Sequence, residues 1–304
     1  MTEQHSDWRA TGLYWNNHTP SIGLVDHTGT EHTEPIPPGT QIGYQLGATR
    51  RCTGVWLAGQ RRRQPCPFSQ PIPPKSTGAQ CAPCTAADPG RAFARSTAID
   101  DGRVYALYLA WFGPVLVKVG LTATDRGTDR LAEQGALAFT WLARGRLPAV
   151  RAAEQAISAS GLASERRQRR TKLAAWWQLP EKTQRQHQLC AAYQQIIETV
   201  PWPAGLNRED CVVSDQVELF GLHQLPESCQ EITGLSNGAV LAGTVRCTVG
   251  RDLLLDTTDG SLLTDTRLLA GWPLRSTTAT LTGVRLRACD YARSDNDADQ
   301  TSLF

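Results

Sequence analysis

Four cysteines lie in a stretch of the chain that has few apolar residues from which to build a core. The stretch runs from Arg50 to Arg95, shows no sustained helix or strand periodicity, and is dominated by Pro, Gly, Ser and Gln. A segment this long without regular structure needs another organiser if it is to be ordered. The fold must therefore include an element at this position that the cysteines hold together.

The spacing of these cysteines favours a metal ion. Cys81 and Cys84 form a CxxC pair, which suits two thiolates on one tetrahedral ion. Thirteen residues separate Cys52 from Cys66 and fourteen separate Cys66 from Cys81, and no histidine lies within the segment. An ion bound here would supply stability that the segment cannot obtain from a core. The predicted ligands of a structural zinc ion are Cys52, Cys66, Cys81 and Cys84.

A redox CxxC is the competing interpretation. That motif needs the N-terminus of a helix following a strand, and neither Pro83 nor residues 86–89 supply one clearly. The other five cysteines are isolated in helix-like or strand-like patterns, which is typical of small core residues. They are Cys190, Cys211, Cys229, Cys247 and Cys289. An odd total of nine fits a reducing compartment better than a disulfide framework.

Charge is distributed unevenly along the chain. The formal net charge is only +2, but residues 50–172 hold twenty Lys/Arg against eight Asp/Glu, a net charge of +12, and the remainder carries −10. Such asymmetry favours a polyanion-binding part, and we predict nucleic acid as the partner. No run approaches the ~20 apolar residues of a membrane span, and the N-terminus does not resemble a signal peptide. We therefore predict a cytoplasmic, nucleoid-associated protein.

The pattern of apolar residues predicts an α+β fold. Val104 to Thr122 resembles a β-hairpin, and Thr128 is placed to cap a short helix that Gly135 closes. Residues 150–158 and 181–200 have helical patterns, and residues from about 212 to 291 read as strands, including an alternating run over 281–288. The predicted regions are a β segment (1–49), a four-cysteine module (50–98), a small α/β domain (99–203), a β-barrel or sandwich (204–292) and a disordered tail (293–304).

The α/β region resembles the GIY-YIG nuclease superfamily. Ala106-Leu107-Tyr108 corresponds to the first tripeptide of that motif, and Lys118-Val119-Gly120 corresponds to the second. Arg130 in the next helix matches the catalytic arginine, and Glu154 matches the metal-binding glutamate. The order of cysteine cluster, hairpin domain and β-rich region also resembles an uncharacterised bacterial family over most of residues 40–290.

The resemblance implies phosphodiester hydrolysis. Glu154 would hold one Mg²⁺ or Mn²⁺ ion, and Arg130 would stabilise the phosphoryl charge. An exposed Tyr108 would position the attacking water or accept its proton, with Tyr105 as the alternative tyrosine. Lys118 stands where the motif has its second tyrosine and would contact phosphate.

Backbone and phosphate contacts follow from the same resemblance and from the basic runs. Gly120 would let the backbone pass close to the substrate, and Arg126 is a rival for the role of Arg130. Trp176 and Trp177 are placed for stacking or for the core. The predicted nucleic-acid contacts are Arg61, Arg62, Arg63, Gly120, Thr122, Arg126, Arg166, Arg167, Arg169 and Arg170.

The chain ends in a short motif that resembles the bacterial sliding-clamp binding peptide. Leu303 and Phe304 would enter an apolar pocket, and Gln300 would form a hydrogen bond beside it.

The sequence thus predicts a metal-dependent DNA endonuclease of repair or recombination that docks on the sliding clamp. The alternatives are a non-catalytic nucleic-acid-binding protein on the same fold and a factor directed at RNA.

Overall fold

The computed structural model divides the chain into two compact units. The first unit comprises residues 1–99 and 229–288, and the second comprises 100–228 and 289–304. The residues that the structure describes are 8–57, 62–76, 78–90, 100–165, 168–289 and 291. Six predicted site residues lie outside them, namely Arg61, Arg166, Arg167, Gln300, Leu303 and Phe304.

The described residues form sixteen strands and six α-helices, with short 3₁₀ turns between some of them. The strands are β1 (Arg9–Asn16), β2 (Thr19–Val25), β3 (Glu31–Pro35), β4 (Gln41–Leu46), β5 (Val55–Leu57), β6 (Arg62–Gln64), β7 (Val104–Trp111), β8 (Val117–Ala123), β9 (Ala138–Arg146), β10 (Leu206–Arg208), β11 (Ser214–Asp215), β12 (Gln230–Val249), β13 (Asp252–Thr257), β14 (Gly260–Asp265), β15 (Leu274–Ser276) and β16 (Thr282–Ala288). The helices are α1 (Ala82–Ala86), α2 (Asp129–Gln134), α3 (Leu147–Ala159), α4 (Arg169–Trp176), α5 (Lys182–Thr199) and α6 (Val217–Phe220). The α+β prediction is therefore confirmed.

The first unit is built around one long strand. β12 pairs with β14 near its start and with β13 near its end, while β13 and β14 form a hairpin, so this sheet closes on itself. β4, from the N-terminal part of the chain, pairs with both β12 and β15. β1, β2 and β3 form a separate antiparallel sheet. The N-terminal strands therefore belong to the same unit as the C-terminal β region.

One strand of this unit departs from its pattern. The alternation over residues 281–288 predicts a strand with one buried face, and β16 does form against β12. Its side chains are nevertheless mostly exposed, with Leu286 at 39%. Alternation predicted the strand but not its burial: β16 pairs with the first half of β12, and the described residues leave most of its side chains uncovered.

The second unit is an antiparallel sheet in the order β10-β9-β7-β8, with β11 also on β9. Residues 204–228, which we had assigned to the β-rich region, belong here, because β10 and β11 both pair with β9. α2 ends at Gly135, whose left-handed backbone (φ 67°) closes the helix as predicted. Helix α3 packs against the β7–β9 sheet.

Among the residues that the structure describes, every helix is too short or too polar to cross a lipid bilayer.

Candidate functional site

The four predicted zinc ligands converge in the first unit. Their Sγ atoms all lie within 4.8 Å of one another, and those of Cys66 and Cys81 are 3.8 Å apart. Four sulfurs bound to one tetrahedral zinc ion at about 2.3 Å would be roughly 3.8 Å apart. Cys52 and Cys84 are buried, while Cys66 and Cys81 are partly exposed. These cysteines can therefore hold a metal such as zinc.

The electrostatics of the cluster favour a bound cation. Burial and the neighbouring thiols of Cys81 and Cys52 raise the pKa of Cys84. Although burial opposes it, hydrogen bonds from the backbone at Gln70 and Phe68 lower the pKa of Cys66 to about 7. Thiols packed this closely cannot all ionise unless a cation offsets their charge.

Backbone amides support the same cluster. The N–H groups of Gly54 and Cys81 lie 3.4 and 3.2 Å from the Cys52 sulfur, positions from which they stabilise a thiolate. The apolar support is small and consists of Val55, Ile72 and partly buried Leu57. A metal would therefore contribute much of the stability of this segment.

Contrary to our expectation, a helix does start at the CxxC pair, since α1 begins at Ala82 with Cys81 as its N-cap residue. The helix has only five residues and follows a loop rather than a strand. A metal remains the better interpretation because Cys52 and Cys66 complete a four-sulfur group, which a redox CxxC does not need.

In the second unit, the hairpin brings Tyr108 and Lys118 together over Gly120. Tyr108 pairs directly with Gly120 across β7 and β8. The Lys118 Nζ donates to the Tyr108 hydroxyl oxygen at 3.2 Å, and Gln134 Nε2, from α2, donates to the same oxygen at 2.7 Å. Tyr108 is only 1% exposed, so our expectation of an exposed tyrosine was wrong. Its ring packs edge-on against Trp141 and joins the core under α2.

The hydrogen bonds leave the Tyr108 hydroxyl proton without an acceptor among the described residues. Its oxygen already accepts from two donors, an ammonium and an amide. The hydroxyl can therefore still donate its proton to a further oxygen atom, such as that of a water molecule or a phosphate group that reaches it. This is the polar feature of the hairpin that is best suited to bind a substrate.

Glu154 lies on α3 beside this network. Burial, together with the nearby charge of Glu165, raises the pKa of Glu154 to about 7, while Lys118 and Arg151 lower it. Lys118 therefore acts both on the Tyr108 hydroxyl and on the Glu154 carboxyl. A buried carboxyl group whose pKa is raised in this way can bind a cation in place of its proton.

Arg130 stands near this group without joining it. It lies on α2 one turn before Gln134, on the same face of the helix, and is paired with Glu133 at 3.3 Å. Arg126 reaches the same Glu133 at 2.7 Å. Among the described residues, no hydrogen bond or ion pair joins Arg130 to Tyr108 or Glu154.

Several other predicted contacts are placed elsewhere. Tyr105 points to the opposite face of β7 from Tyr108, and its hydroxyl donates to Asp101. Thr122 is buried at 4% exposure. Arg63 is also buried, and its Nε donates to Glu31 at 2.6 Å. An arginine used in this way stabilises its own unit and is unavailable to phosphate.

Fewer of the predicted nucleic-acid-binding arginines are exposed than the runs of basic residues in the sequence indicate. Arg62 and Arg170 are exposed, and Arg169 is partly buried. Trp176 is buried and stacks against Trp177, so the core interpretation of Trp176 is supported.

Sequence reasoning assigned no role to Gln134 or Lys172. Gln134 donates to Tyr108, and Lys172 Nζ donates at 2.9 Å to the Gln134 carbonyl oxygen while lying 3.7 Å from the centre of the Phe112 ring. The available signal was spacing, since Gln134 follows Arg130 by four residues and so shares its helix face.

The close approach at Gly120 gives a testable prediction. A Cβ atom there would lie 2.3 Å from the Tyr108 hydroxyl oxygen and 2.8 Å from Lys118 Nζ. Gly120→Ala should therefore displace both groups and cost about 1–3 kcal/mol of unfolding free energy. Urea denaturation measures this cost. Gly127→Ala is the control. Gly127 has a positive φ but no atom of the described residues near the new methyl group, so this variant measures backbone strain without crowding.

Adding Tyr108→Phe to Gly120→Ala should recover part of the loss, because it removes the atom nearest to the new methyl group. Equal stability of the single and double variants would contradict the role of Gly120 as space for the Tyr108 hydroxyl. The glycine would then be needed for another reason, such as approach of a substrate to the backbone.

A family model described as "Protein of unknown function (DUF2797)" matches residues 76–274. The match includes Cys81, Cys84 and the whole Tyr108–Lys118–Glu154 region, and begins after Cys52 and Cys66. Neither a curated protein nor a solved structure matches the chain.

Proposed function

Because this chain belongs to the DUF2797 family, whose description assigns no activity, we propose its function from the site itself: a metal-dependent endonuclease that hydrolyses phosphodiester bonds in DNA. The observation that carries the proposal is the Tyr108 hydroxyl, which accepts hydrogen bonds from Lys118 and Gln134 and keeps its own proton for an external acceptor. A phosphate oxygen or an attacking water is such an acceptor.

Each residue of the site has a distinct part in this chemistry. Lys118 offsets negative charge that develops on the phosphoryl group. Tyr108 donates to a phosphate oxygen or orients the attacking water, and Gln134 holds the Tyr108 oxygen in place. Arg130, which is partly exposed, would exchange Glu133 for the substrate phosphate.

Glu154 is the proposed ligand of a divalent ion. Its pKa, raised to about 7 by burial and by Glu165, describes a carboxyl group whose negative charge needs a nearby cation. Carboxylate oxygen is the ligand type that Mg²⁺ and Mn²⁺ prefer. Such an ion, when bound, would polarise a phosphoryl oxygen. The positive charge of Lys118 also acts on this carboxyl and offsets part of its negative charge.

The four-cysteine cluster is proposed to hold structural zinc. All four ligands are thiols, the sulfurs fit one tetrahedron, and the segment has little core of its own. A closed set of four protein ligands leaves no position for a substrate, so the proposed role is to order residues 50–90 and not to catalyse.

The net positive charge of residues 50–172 supports a polyanionic substrate, although some of the arginines are buried and bonded within their own unit. Arg50 is 1% exposed and donates to backbone carbonyls of its own unit, and Arg63 pairs with Glu31. Arg62, Arg126 and Arg170 remain at the surface. Phosphate contacts from such side chains should make binding weaken with added salt.

A cleavage assay tests the proposal directly. Wild-type protein is incubated with branched, nicked, single-stranded and duplex DNA and with RNA, in Mg²⁺ or Mn²⁺. We expect cleavage of a DNA substrate, and losses of at least about 100-fold for Glu154→Gln and Tyr108→Phe, because each removes a group that acts in the transition state. Binding to the same DNA should change much less.

Matched controls come from the same elements. Tyr105→Phe removes a phenol from the opposite face of β7, and Glu165→Gln removes the exposed neighbour of Glu154; both should retain most activity. Full activity of Glu154→Gln and Tyr108→Phe would contradict the assignment. Binding without cleavage of any substrate would favour a non-catalytic nucleic-acid-binding protein, and cleavage of RNA alone would favour an RNA-directed enzyme.

A further inference from the structure

Two cysteines that the sequence places far apart meet in the second unit. Cys190 lies in α5 and Cys211 lies in the loop between β10 and β11, and their Sγ atoms are 3.0 Å apart. A disulfide bond has an S–S length of about 2.05 Å, so the two sulfurs need to move together by only about 1 Å to form one. Sequence reasoning took both residues for isolated core cysteines.

Contacts on both sides of the pair hold α5 and this loop in register. Arg185, five residues before Cys190, forms an ion pair with Asp215, in which both side chains are buried. Tyr193, three residues after Cys190, donates its hydroxyl proton to the Glu209 carbonyl oxygen. The two thiols are thus bracketed by fixed contacts, which gives their reaction a high effective concentration.

Exposure distinguishes this pair from the other cysteines. Cys190 and Cys211 are both partly exposed, whereas Cys229, Cys247 and Cys289 are buried. The remaining four belong to the predicted zinc cluster. Among the described residues outside that cluster, Cys190 and Cys211 are therefore the neighbouring thiols that a small solute can reach.

We infer that Cys190 and Cys211 form a redox-active dithiol that a low-molecular-weight disulfide oxidises to an intramolecular disulfide. This inference is independent of the proposed nuclease activity. It assigns to the second unit a modification site, the Cys190–Cys211 pair, with small disulfides as its oxidants.

Thiol–disulfide exchange supplies a balanced route. The Cys190 thiolate attacks one sulfur of the oxidant RSSR, and the bond between the two R–S groups breaks, releasing one RS⁻. The Cys211 sulfur then loses its proton and attacks the Cys190 sulfur, and the second RS⁻ leaves. The two cysteines lose two electrons and two protons in total, and RSSR is reduced to two RSH.

The structure indicates which thiol reacts first. Burial and the adjacent Cys190 raise the pKa of Cys211 to about 12, so Cys211 keeps its proton until the second step. Cys190, at the surface of α5, is therefore the attacking thiol. Exchange should be slow compared with that of a thiol of depressed pKa, because the resolving Cys211 is a poor thiolate.

The disulfide should stabilise the second unit. It would close a loop between positions 190 and 211, across segments that already pack together. Since such a cross-link restricts the unfolded chain, we expect the melting temperature of the oxidised protein to rise by about 5 °C or more.

Peptide mapping tests the inference on the full-length, metal-loaded protein. The protein is treated with oxidised glutathione, its remaining thiols are alkylated under denaturing conditions, and it is digested without reductant. Mass spectrometry should find a peptide pair linked through Cys190 and Cys211, together with the rise in melting temperature. Dithiothreitol should reverse both effects.

Variants make the assignment specific. Cys190→Ser and Cys211→Ser should each abolish the linked peptide and the thermal shift, whereas Cys229→Ser, which alters a buried thiol, should retain both. If wild-type Cys190 and Cys211 are recovered separately alkylated, separately glutathionylated or linked to other cysteines, the inference is overturned. Peptide mapping of the wild-type protein is sufficient to decide whether the disulfide forms. The inference can therefore be tested even if a variant fails to fold.

Discussion

Replacing Cys81 and Cys84 together with serine is expected to release the metal from the four-cysteine cluster and to unfold the segment around it. The two residues supply half of the sulfur ligands. The apolar support of the cluster consists of a few side chains, among them Val55 and Ile72. Loss of the metal should therefore cost about 5 kcal/mol or more of unfolding free energy.

Metal analysis and thermal denaturation measure this result. Purified wild-type protein should contain about one zinc ion per chain, as four thiolates around one site require, and the double variant should contain almost none. The control is Cys190→Ser with Cys211→Ser, which also removes two thiols, both of them partly exposed, but leaves the cluster intact. Zinc that is absent from the wild type, or retained by Cys81→Ser/Cys84→Ser, would refute the zinc assignment.

Removing the charge of Arg185 should be the most damaging single change to the second unit. Its guanidinium forms two hydrogen bonds to Asp215, at 2.8 and 2.9 Å, and a third to the Pro180 carbonyl oxygen. The two side chains are 8% and 5% exposed. Arg185→Met would leave the buried Asp215 carboxylate without a countercharge and with only the Val217 N–H, at 3.2 Å, as a donor among the described residues. Breaking a buried pair in this way costs about 3–5 kcal/mol.

Urea denaturation with a second-site variant tests the reason for this loss. Arg185→Met combined with Asp215→Asn removes both charges and should recover a large part of the stability. The control is Arg144→Met, in β9 of the same unit, which breaks an ion pair with Glu209 in which the side chains are 47% and 29% exposed. That change should cost less than about 1 kcal/mol. A similar cost for Arg144→Met and Arg185→Met would contradict the argument from burial.

The local elements of the second unit were predictable from sequence because their signals are local. Residues 104–122 were predicted to form a hairpin, which is the observed β7–β8 pair, and Thr128 and Gly135 mark the two ends of α2. The cysteine cluster was predictable for a different reason. Four thiols in a segment without a core have few structural roles other than metal binding.

The contents of the candidate site were less predictable. Tyr108 and Lys118 were singled out from the resemblance, but Gln134 was missed because its importance depends on how α2 packs over β7. The exposed phenol that we expected is instead buried against Trp141. Gly120, assigned to substrate approach, lies under the Tyr108 hydroxyl and leaves room for it.

By itself, the sequence determined the α+β class, the β7–β8 hairpin, the helices α2, α3 and α5, and the group of four cysteines, because these depend on neighbours along the chain. Only the tertiary structure decided that β4 pairs with β12, that Arg63 forms an ion pair with Glu31, and that the sulfurs of Cys190 and Cys211 lie next to each other. These pairings join residues separated by 21 to about 200 positions. They depend on which faces pack together, and periodicity along one segment carries no information about the segment that will cover it.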